Sequence, residues 1–293
     1  MNLDQIVSHI CSGGQIPTIG AVASEVLRLV NDPGADSRSV GRVVQRDPAL
    51  TARVLRLANS PYYGARARVA TVERAVSLLG LTEIRNIALS VSVMAGFSAC
   101  FGGRSFDWER FWEHSSGCAL IAQGISRVLR MPSIGEEYAA GLLHDVGKIL
   151  FGHHFPEEFT RALEIAAEEG ITMEEAEERV FGANHASLGD WLASQWNFPT
   201  AIREAIAHHH HPERAREAEV TAAVVHLANL LTKAKCIGFG GDFVAVCLTD
   251  DPAWETLARV RPELADLDVE RFTYCLDQEV DAARELMRTA REE

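Results

Sequence analysis

The stretch Leu142-Leu143-His144-Asp145-Val146-Gly147-Lys148-Ile149-Leu150 places a histidine, an aspartate and a lysine inside an apolar helical repeat. Its leucine, valine and isoleucine residues recur at steps of three and four, the spacing that gives a helix one apolar face. On such a helix His144 and Lys148 stand one turn apart, with Asp145 beside them. The stretch therefore predicts a core helix that carries titratable groups toward the interior.

Three other segments place histidine on an apolar helical face in the same way. His114 shares a helical face with Phe111 and Cys118, and His185 shares one with Leu188 and Leu192. His209 and His210 continue the face of Ile202 and Ile206. The side chains predicted to point inward are therefore His114, His144, Asp145, His185, His209 and His210.

A single core histidine is satisfied by a nearby carbonyl, but six inward polar groups need a common partner. Each unpaired buried polar group costs about 1–3 kcal/mol, while a domain has only about 5–15 kcal/mol of net stability. Imidazole and carboxylate are nitrogen and oxygen metal ligands. The set therefore predicts one or two divalent cations. Because it contains no thiolate, iron or manganese is favoured over zinc, nickel or magnesium.

Composition excludes several functional classes. The 293 residues are 47% hydrophobic and carry a formal net charge of −13, which repels nucleic-acid phosphates. The six cysteines form no C-x-x-C pair, and the N-terminus lacks a basic, apolar leader, so a cytoplasmic location is expected. The uncharged stretch 86–103 is long enough to cross a membrane, but its serines and glycines favour a buried helix.

The rest of the chain also predicts helices, and no strand alternation is evident, so an all-α fold is expected. Asp47 and Pro48 form a cap-and-proline start for one of them. The predicted helices cover 19–30, 49–58, 71–79, 83–97 and 269–291. With 102–105 as a linker, the predicted parts are an N-terminal helical part (1–105), a metal-site part (106–235) and an acidic, helical extension (236–293) without identifiable chemistry.

The order of these residues carries a resemblance to the HD superfamily of metal-dependent phosphohydrolases, most closely to its HD-GYP branch of cyclic-di-GMP phosphodiesterases. The residues that resemble its ligand order are His114, His144-Asp145 with Lys148, His185 and His209-His210.

Other segments are more specifically similar to the HDOD family (HD-related output domain). They are Gln15-Ile16-Pro17-Thr18, Gln45 to Leu55, Leu57-Ala58-Asn59-Ser60-Pro61-Tyr62-Tyr63, Ala75 to Gly80, Ala201 to Pro212 and Val225-His226-Leu227-Ala228-Asn229. This resemblance implies an all-α bacterial signalling module, with an HD-superfamily core after an N-terminal helical subdomain. It also implies that catalytic residues are often degenerate.

The chain departs from the hydrolase pattern at several positions. Asn229 stands where a late aspartate ligand is expected, and an amide is a weaker, neutral ligand. No Gly-Tyr-Pro follows His209-His210, and Arg110 replaces a glutamate expected one turn before His114. These differences argue against hydrolysis of cyclic dinucleotides.

Two functions therefore remain open. The first is a signalling module whose metal-bearing core is weakly catalytic or inactive and acts through a protein partner. The second is a divalent-metal phosphohydrolase or phosphodiesterase with a nucleotide or other phosphoester substrate. In the second, Asp145 would be a shared ligand of the metal and Lys148 would neutralise the phosphate. Asn229 favours the first function, and the otherwise filled ligand set favours the second.

Overall fold

A computed structural model of the chain describes residues 1–13, 16–30, 34, 36–60, 68–97, 106–131, 135–242, 247–277 and 280–281. Within these ranges every regular element is a helix, and no strand occurs. The predicted all-α fold is therefore confirmed.

The described residues form sixteen α-helices and two short 3-10 turns, Pro212–Arg214 and Pro262–Asp266. In chain order the helices are α1 (Leu3–Gly13), α2 (Ala21–Val30), α3 (Ser37–Val44), α4 (Pro48–Ala58), α5 (Val72–Leu79), α6 (Leu81–Gly96), α7 (Trp108–Val128), α8 (Glu136–Leu143), α9 (Val146–His154), α10 (Pro156–Glu169), α11 (Met173–Phe181), α12 (His185–Gln195), α13 (Thr200–His208), α14 (Glu219–Ala234), α15 (Ala253–Val260) and α16 (Val269–Cys275).

The helices predicted over 19–30, 49–58, 71–79 and 83–97 correspond to α2, α4, α5 and α6. Asp47 caps α4 as predicted, because its side chain accepts a hydrogen bond from the backbone N–H of Leu50. Of the helix predicted over 269–291, the structure describes α16 and residues 280–281. Residues 282–291, the predicted linker 102–105 and the segment 61–63 lie outside the described residues.

The chain divides into two compact units. One contains Met1–Ile16 together with Ala99–Ala283, and the other contains Pro17–Ser98. Helix α1 belongs with the later part of the chain because it packs against α12. The division into three parts after residues 105 and 235 stays a sequence-based prediction. The compact units instead divide after residues 16 and 98.

The unit at 17–98 is built from α2 to α6 around its own apolar core. Helix α2 packs against α6, and α5 packs against both α3 and α4. The buried residues of this core are Ala23, Val26, Val40, Val43, Val44, Leu50, Val54, Leu57, Ala58, Val69, Val72, Ala75, Val76, Ile84, Ile87 and Ala88.

The other unit contains α1 and α7 to α16, with the long helix α7 packed against α8 and α14. Small residues allow this close packing: a Cβ added at Gly141 of α8 would lie 2.9 Å from the Cα of Ala119 on α7. Helix α12 packs against both α9 and α13. The ends of α8, α9, α12 and α13 are thereby brought to one side of α7.

The stretch predicted as one continuous helix over 142–150 is interrupted, so that prediction is wrong in detail. Helix α8 ends at Leu143 and α9 begins at Val146. Asp145 leaves the helical conformation (φ −100°, ψ 4°) and becomes the N-cap of α9. The break turns both His144 and Asp145 toward the interior of the unit, where each is buried.

In the described part of the chain, no single helix is both long enough and apolar enough to cross a membrane. Helices α5 and α6 reach the required length and composition only as a pair, and they are bent by 112° relative to each other.

Candidate metal centre

The structure brings together all six side chains predicted to point inward. They come from four places: His114 from α7, His144 and Asp145 from the break between α8 and α9, His185 from the first turn of α12, and His209 and His210 from the turn after α13. Five of the six are buried, and His210 is partly buried. We refer to these six residues as the centre.

The Asp145 carboxylate lies in the middle of the centre. Its Oδ2 is 3.3 Å from Nε2 of His144 and 3.7 Å from Nε2 of His114. Its Oδ1 is 3.1 Å from Nε2 of His185 and 3.8 Å from Nε2 of His209. Each carboxylate oxygen therefore faces a different pair of imidazoles, as a bridging ligand of two ions would.

The candidate ligand atoms form two groups, in each of which all atoms lie within 4.8 Å of one another. The first is His114, His144 and Asp145, and the second is His185, His209 and His210. In the second group, Nε2 of His185 is 2.9 Å from Nε2 of His210 and 3.4 Å from Nε2 of His209. Because metal–nitrogen bonds are about 2.1 Å long, adjacent donors of one ion lie about 3.0–3.4 Å apart. These separations fit a shared cation.

The other ring nitrogen of three histidines is held by a hydrogen-bond acceptor. Nδ1 of His144 lies 2.8 Å from the Gly141 carbonyl, and Nδ1 of His209 lies 2.8 Å from the Ile206 carbonyl. Nδ1 of His185 lies 2.6 Å from Oε2 of Glu177. An acceptor at Nδ1 keeps a proton on that nitrogen and directs Nε2 toward the centre, where it can bind a metal in the neutral form of the ring.

Burial keeps three imidazoles of the centre neutral. It lowers the pKa of His114 to about 3, more than the Asp145 carboxylate can offset. Burial, together with the neighbouring histidines, also lowers the pKa values of His209 and His210 well below the ordinary value. Neutral imidazole is the form that binds a metal ion.

The charge of Asp145 is stabilised by its surroundings. Burial would raise the pKa of this carboxyl, but His144, Lys148 and His185 hold it well below the usual range. Burial likewise disfavours a charge on His144, but Asp145 and Cys118 outweigh it and raise the pKa of His144 to about 10. A cation bound at Asp145 would therefore compete with a proton on His144.

A glycine-rich segment covers one side of the centre. The Gly240 carbonyl accepts a hydrogen bond of 2.7 Å from Nζ of Lys148, whose other neighbour is Oδ2 of Asp145 at 2.8 Å. A Cβ at Gly240 would lie only 2.9 Å from Nε2 of His114. Gly238 has a positive φ of 64° and lies against the backbone of α7. The extension after 235, in which the sequence revealed no identifiable chemistry, thus supplies one wall of the centre.

A cavity of about 770 Å³ has His210 of the centre in its wall, together with Asn229. Asn229 is 3% exposed, and its Oδ1 has no hydrogen-bond partner among the described residues. The other charged or titratable residues on the wall are Glu174, Glu175, Glu178, Arg179, His211, Arg214, His226, Lys233, Cys247 and Asp251. Access to the centre is therefore from the His210 side.

The donor set fits a divalent cation by its chemistry and by its unsatisfied atoms. Nε2 of His114 is buried and has no hydrogen-bond partner in the described ranges. Leaving such an atom unpaired is costly, and an ion would satisfy it. Five imidazoles and one carboxylate suit iron, manganese, nickel or zinc better than magnesium, which prefers oxygen ligands. The identity of the metal stays a prediction.

Sequence reasoning missed two residues that contact the centre, Glu177 and Gly240. Glu177 could have been found, because it lies four residues after Met173 and four before Phe181. This helical spacing, with the apolar Ala176 beside it, places Glu177 on a buried face. Gly240 had a weaker one: a cluster of three glycines at 238, 240 and 241 indicates close backbone approach without naming the partner.

Comparisons with known proteins agree with this architecture. Residues 16–212 match the HDOD domain. A curated Treponema pallidum (strain Nichols) protein, named "Uncharacterized protein", is 26% identical over 217 residues, or 73% of this chain and 42% of that protein. The chain thus spans less than half of this relative's length.

Solved structures show the same fold. The crystal structure of an HDOD domain protein with unknown function from Geobacter sulfurreducens has a TM-score of 0.82 and 28% identity, covering 96% of this chain and 97% of that one. A protein from Marinobacter aquaeolei VT8, provisionally named a signal transduction protein, has a TM-score of 0.72 and 24% identity, covering 98% of this chain and 64% of that one. The similarity to the Marinobacter aquaeolei protein shows the fold alone.

Proposed function

This chain belongs to the HDOD domain family, and we propose that it is a bacterial signal-transduction module in which a metal-binding core has little or no catalytic activity. In this proposal the module acts in the cytoplasm through a protein partner. The match to the HDOD domain over residues 16–212 supports the signalling module, and the two groups of candidate ligands support the metal-binding core.

The observation that carries the proposal is the position of Asp145 between two groups of imidazoles. His114 and His144 face one carboxylate oxygen, and His185 and His209 face the other. Burying a carboxylate and several imidazoles in one place is unfavourable unless their polar atoms find partners. Lys148 pairs with the Asp145 carboxylate. A divalent cation would be a partner for imidazole nitrogens such as Nε2 of His114, which has no hydrogen-bond partner within the described residues.

The residues that would hold the ions are the six of the centre, with Asp145 shared between both groups. A bound divalent cation would polarise a phosphoryl oxygen and acidify a bound water molecule. The chain's own groups would orient the ligands: carbonyls hold the rings of His144 and His209, and the Lys148 ammonium holds the Asp145 carboxylate.

Two features favour weak or absent catalysis. Asn229 offers a neutral amide beside the cavity, where an aspartate would add negative charge for a second cation. Lys148 is 2% exposed and already contacts Asp145 and the Gly240 carbonyl. Its ammonium is therefore engaged within the centre, and the phosphate-neutralising role suggested by the sequence would require those contacts to change.

The second candidate function is a divalent-metal phosphohydrolase or phosphodiesterase. The observation in its favour is the cavity of about 770 Å³ that reaches His210, since this volume can hold a phosphoester or a nucleotide. Arg214 on its wall could contact phosphate oxygens, whereas Arg179 and Lys233 on the same wall are already paired with Glu169 and Asp242. Several carboxylates stand on the same wall, so the cavity does not favour a highly charged anion.

Metal analysis and substrate assays on one preparation separate the two functions. The wild-type protein is purified without chelator, its metal content is measured, and it is assayed against phosphomonoesters, phosphodiesters and cyclic dinucleotides. Bound metal without turnover supports the signalling module. Turnover that disappears in Asp145→Ala supports the hydrolase. Absence of metal after reconstitution with manganese, iron, nickel and zinc would overturn both.

The partner is tested separately by affinity purification from the native host with the wild-type protein as bait. The proposal expects a partner that also binds the purified module in a two-component assay with defined stoichiometry. Failure of every captured protein to bind the purified, metal-loaded module would contradict action through a protein partner.

A further inference from the structure

We infer that Glu177 is a positioning residue of the metal centre, whose carboxylate fixes the tautomer and orientation of His185 and strengthens His185 as a ligand. Glu177 lies on α11, outside the six residues predicted to bind metal. The inference rests on the proposed metal centre.

One oxygen of Glu177 contacts two donors of the same residue. Its Oε2 accepts the backbone N–H of His185 at 2.7 Å and lies 2.6 Å from Nδ1 of that ring. Both side chains are fully buried. The carboxylate therefore fixes the start of α12 and the plane of the ring at once.

This contact determines which nitrogen of His185 faces the centre. Oε2 of Glu177 accepts the backbone N–H of His185, and as an acceptor toward the ring as well it keeps a proton on Nδ1. Nε2 is then the atom directed at Asp145 Oδ1, 3.1 Å away, and at Nε2 of His210, 2.9 Å away. Without Glu177 the ring could place its proton on Nε2 and lose its metal-binding lone pair.

Among the three histidines of the centre whose Nδ1 contacts are described, His185 alone has a carboxylate as the acceptor. His144 and His209 donate to backbone carbonyls, which are neutral. A carboxylate behind an imidazole increases the electron density at the opposite nitrogen, and such partners commonly change metal affinity by about 10- to 100-fold. His185 is therefore expected to be the strongest nitrogen donor of its group.

A purely structural role explains the placement of Glu177 less well. Helix α12 already has an N-cap, because the Asn184 side chain accepts a hydrogen bond from the backbone N–H of Ser187 at 2.9 Å. The second carboxylate oxygen, Oε1 of Glu177, is buried and has no hydrogen-bond partner within the described residues. Keeping an incompletely paired carboxylate buried is costly, which fits a residue retained for the centre.

The test compares Glu177→Gln with Glu168→Gln, which removes an exposed charge from α10. Mn²⁺ and Zn²⁺ affinities are measured by chelator competition, and the melting temperatures of the metal-free proteins are measured in parallel. We expect Glu177→Gln to weaken metal binding by about 10- to 100-fold, with Glu168→Gln equal to wild type. A lower melting temperature of metal-free Glu177→Gln with unchanged metal affinity would overturn the inference and leave a structural role.

A second variant keeps the inference falsifiable if Glu177→Gln does not fold. Glu177→Asp retains the charge but is shorter, so its oxygen cannot reach Nδ1 without a shift, and we expect weaker metal binding than wild type. Unchanged affinity in this folded variant would overturn the inference. If the wild-type protein itself binds no metal, the proposed function fails. If wild type binds metal and both Glu177 variants bind it with the same affinity, only the role of Glu177 is contradicted.

Discussion

Oδ1 of Asp145 lies 3.1 Å from Nε2 of His185, although the two residues belong to the N-terminal ends of different helices. Helices α9 and α12 can approach so closely because Gly147 has no side chain: a Cβ there would lie 2.1 Å from the His185 carbonyl oxygen. This contact joins the two groups of candidate ligands into one centre.

Replacing Lys148 with methionine should destabilise the metal-free protein more than the metal-loaded protein. The change leaves an unbranched side chain one atom shorter and removes the charge that lies 2.8 Å from Asp145 Oδ2. Breaking a buried ion pair costs about 3 kcal/mol, and a bound cation would replace the lost positive charge. Urea unfolding in chelator and in excess Mn²⁺ measures this difference.

The matched control for that experiment is Lys235→Met, which breaks the more exposed pair between Lys235 and Asp277. Such a surface pair contributes about 0–1 kcal/mol, and metal should not change its effect. An equal loss for Lys148→Met with and without metal would show that no cation binds beside Asp145.

Replacing Gly240 with alanine should disturb the first group of ligands. The added Cβ would lie 2.9 Å from Nε2 of His114, a buried ring with little room to move. We expect a loss of about 1–3 kcal/mol in the free energy of unfolding, as for other overpacked sites, and less metal per chain. Gly13→Ala is the control, because a Cβ at Gly13 meets no atom within 4 Å. Equal stability and metal content in both variants would contradict the close contact at Gly240.

The stability contributed by Asp242 should disappear in acid. Its carboxylate is 2.6 Å from Nζ of Lys233 and accepts the backbone N–H of Met173 at 3.1 Å. Burial would raise the pKa of this carboxyl, but the ammonium groups of Lys233 and Lys148 lower it below the ordinary value. Folding therefore favours the ionised form, whose contribution is complete above about pH 4 and is lost as the pH falls further.

Unfolding of wild type and Asp242→Asn across a pH series checks this sign. At pH 7 we expect the variant to be less stable by about 3 kcal/mol, because Lys233 loses its buried partner. The difference should shrink below about pH 4, where the Asp242 carboxyl of the unfolded chain begins to take up a proton. A constant difference between pH 7 and pH 3 would mean that Asp242 does not act through its charge.

Much of the centre could be predicted from the sequence because its ligands follow local helical spacing. His114 and His185 lie on apolar faces that a repeat of three and four residues reveals. The break at Asp145 could not be predicted in this way, because local propensity continues the helix and only packing around the centre interrupts it. The contact between Lys148 and Gly240 could not be predicted either, because it joins segments that are distant in sequence and leaves no periodic pattern.

The metal content of wild type and of Asp145→Ala tests whether a divalent cation binds at Asp145 in the centre. The control is Asp190→Ala, which removes a carboxylate from the surface pair with Arg203. We expect one or two divalent ions per chain in wild type and in the control. In Asp145→Ala we expect loss of metal and a lower melting temperature. Wild-type metal content in Asp145→Ala would contradict this expectation, because the ion would then lie elsewhere.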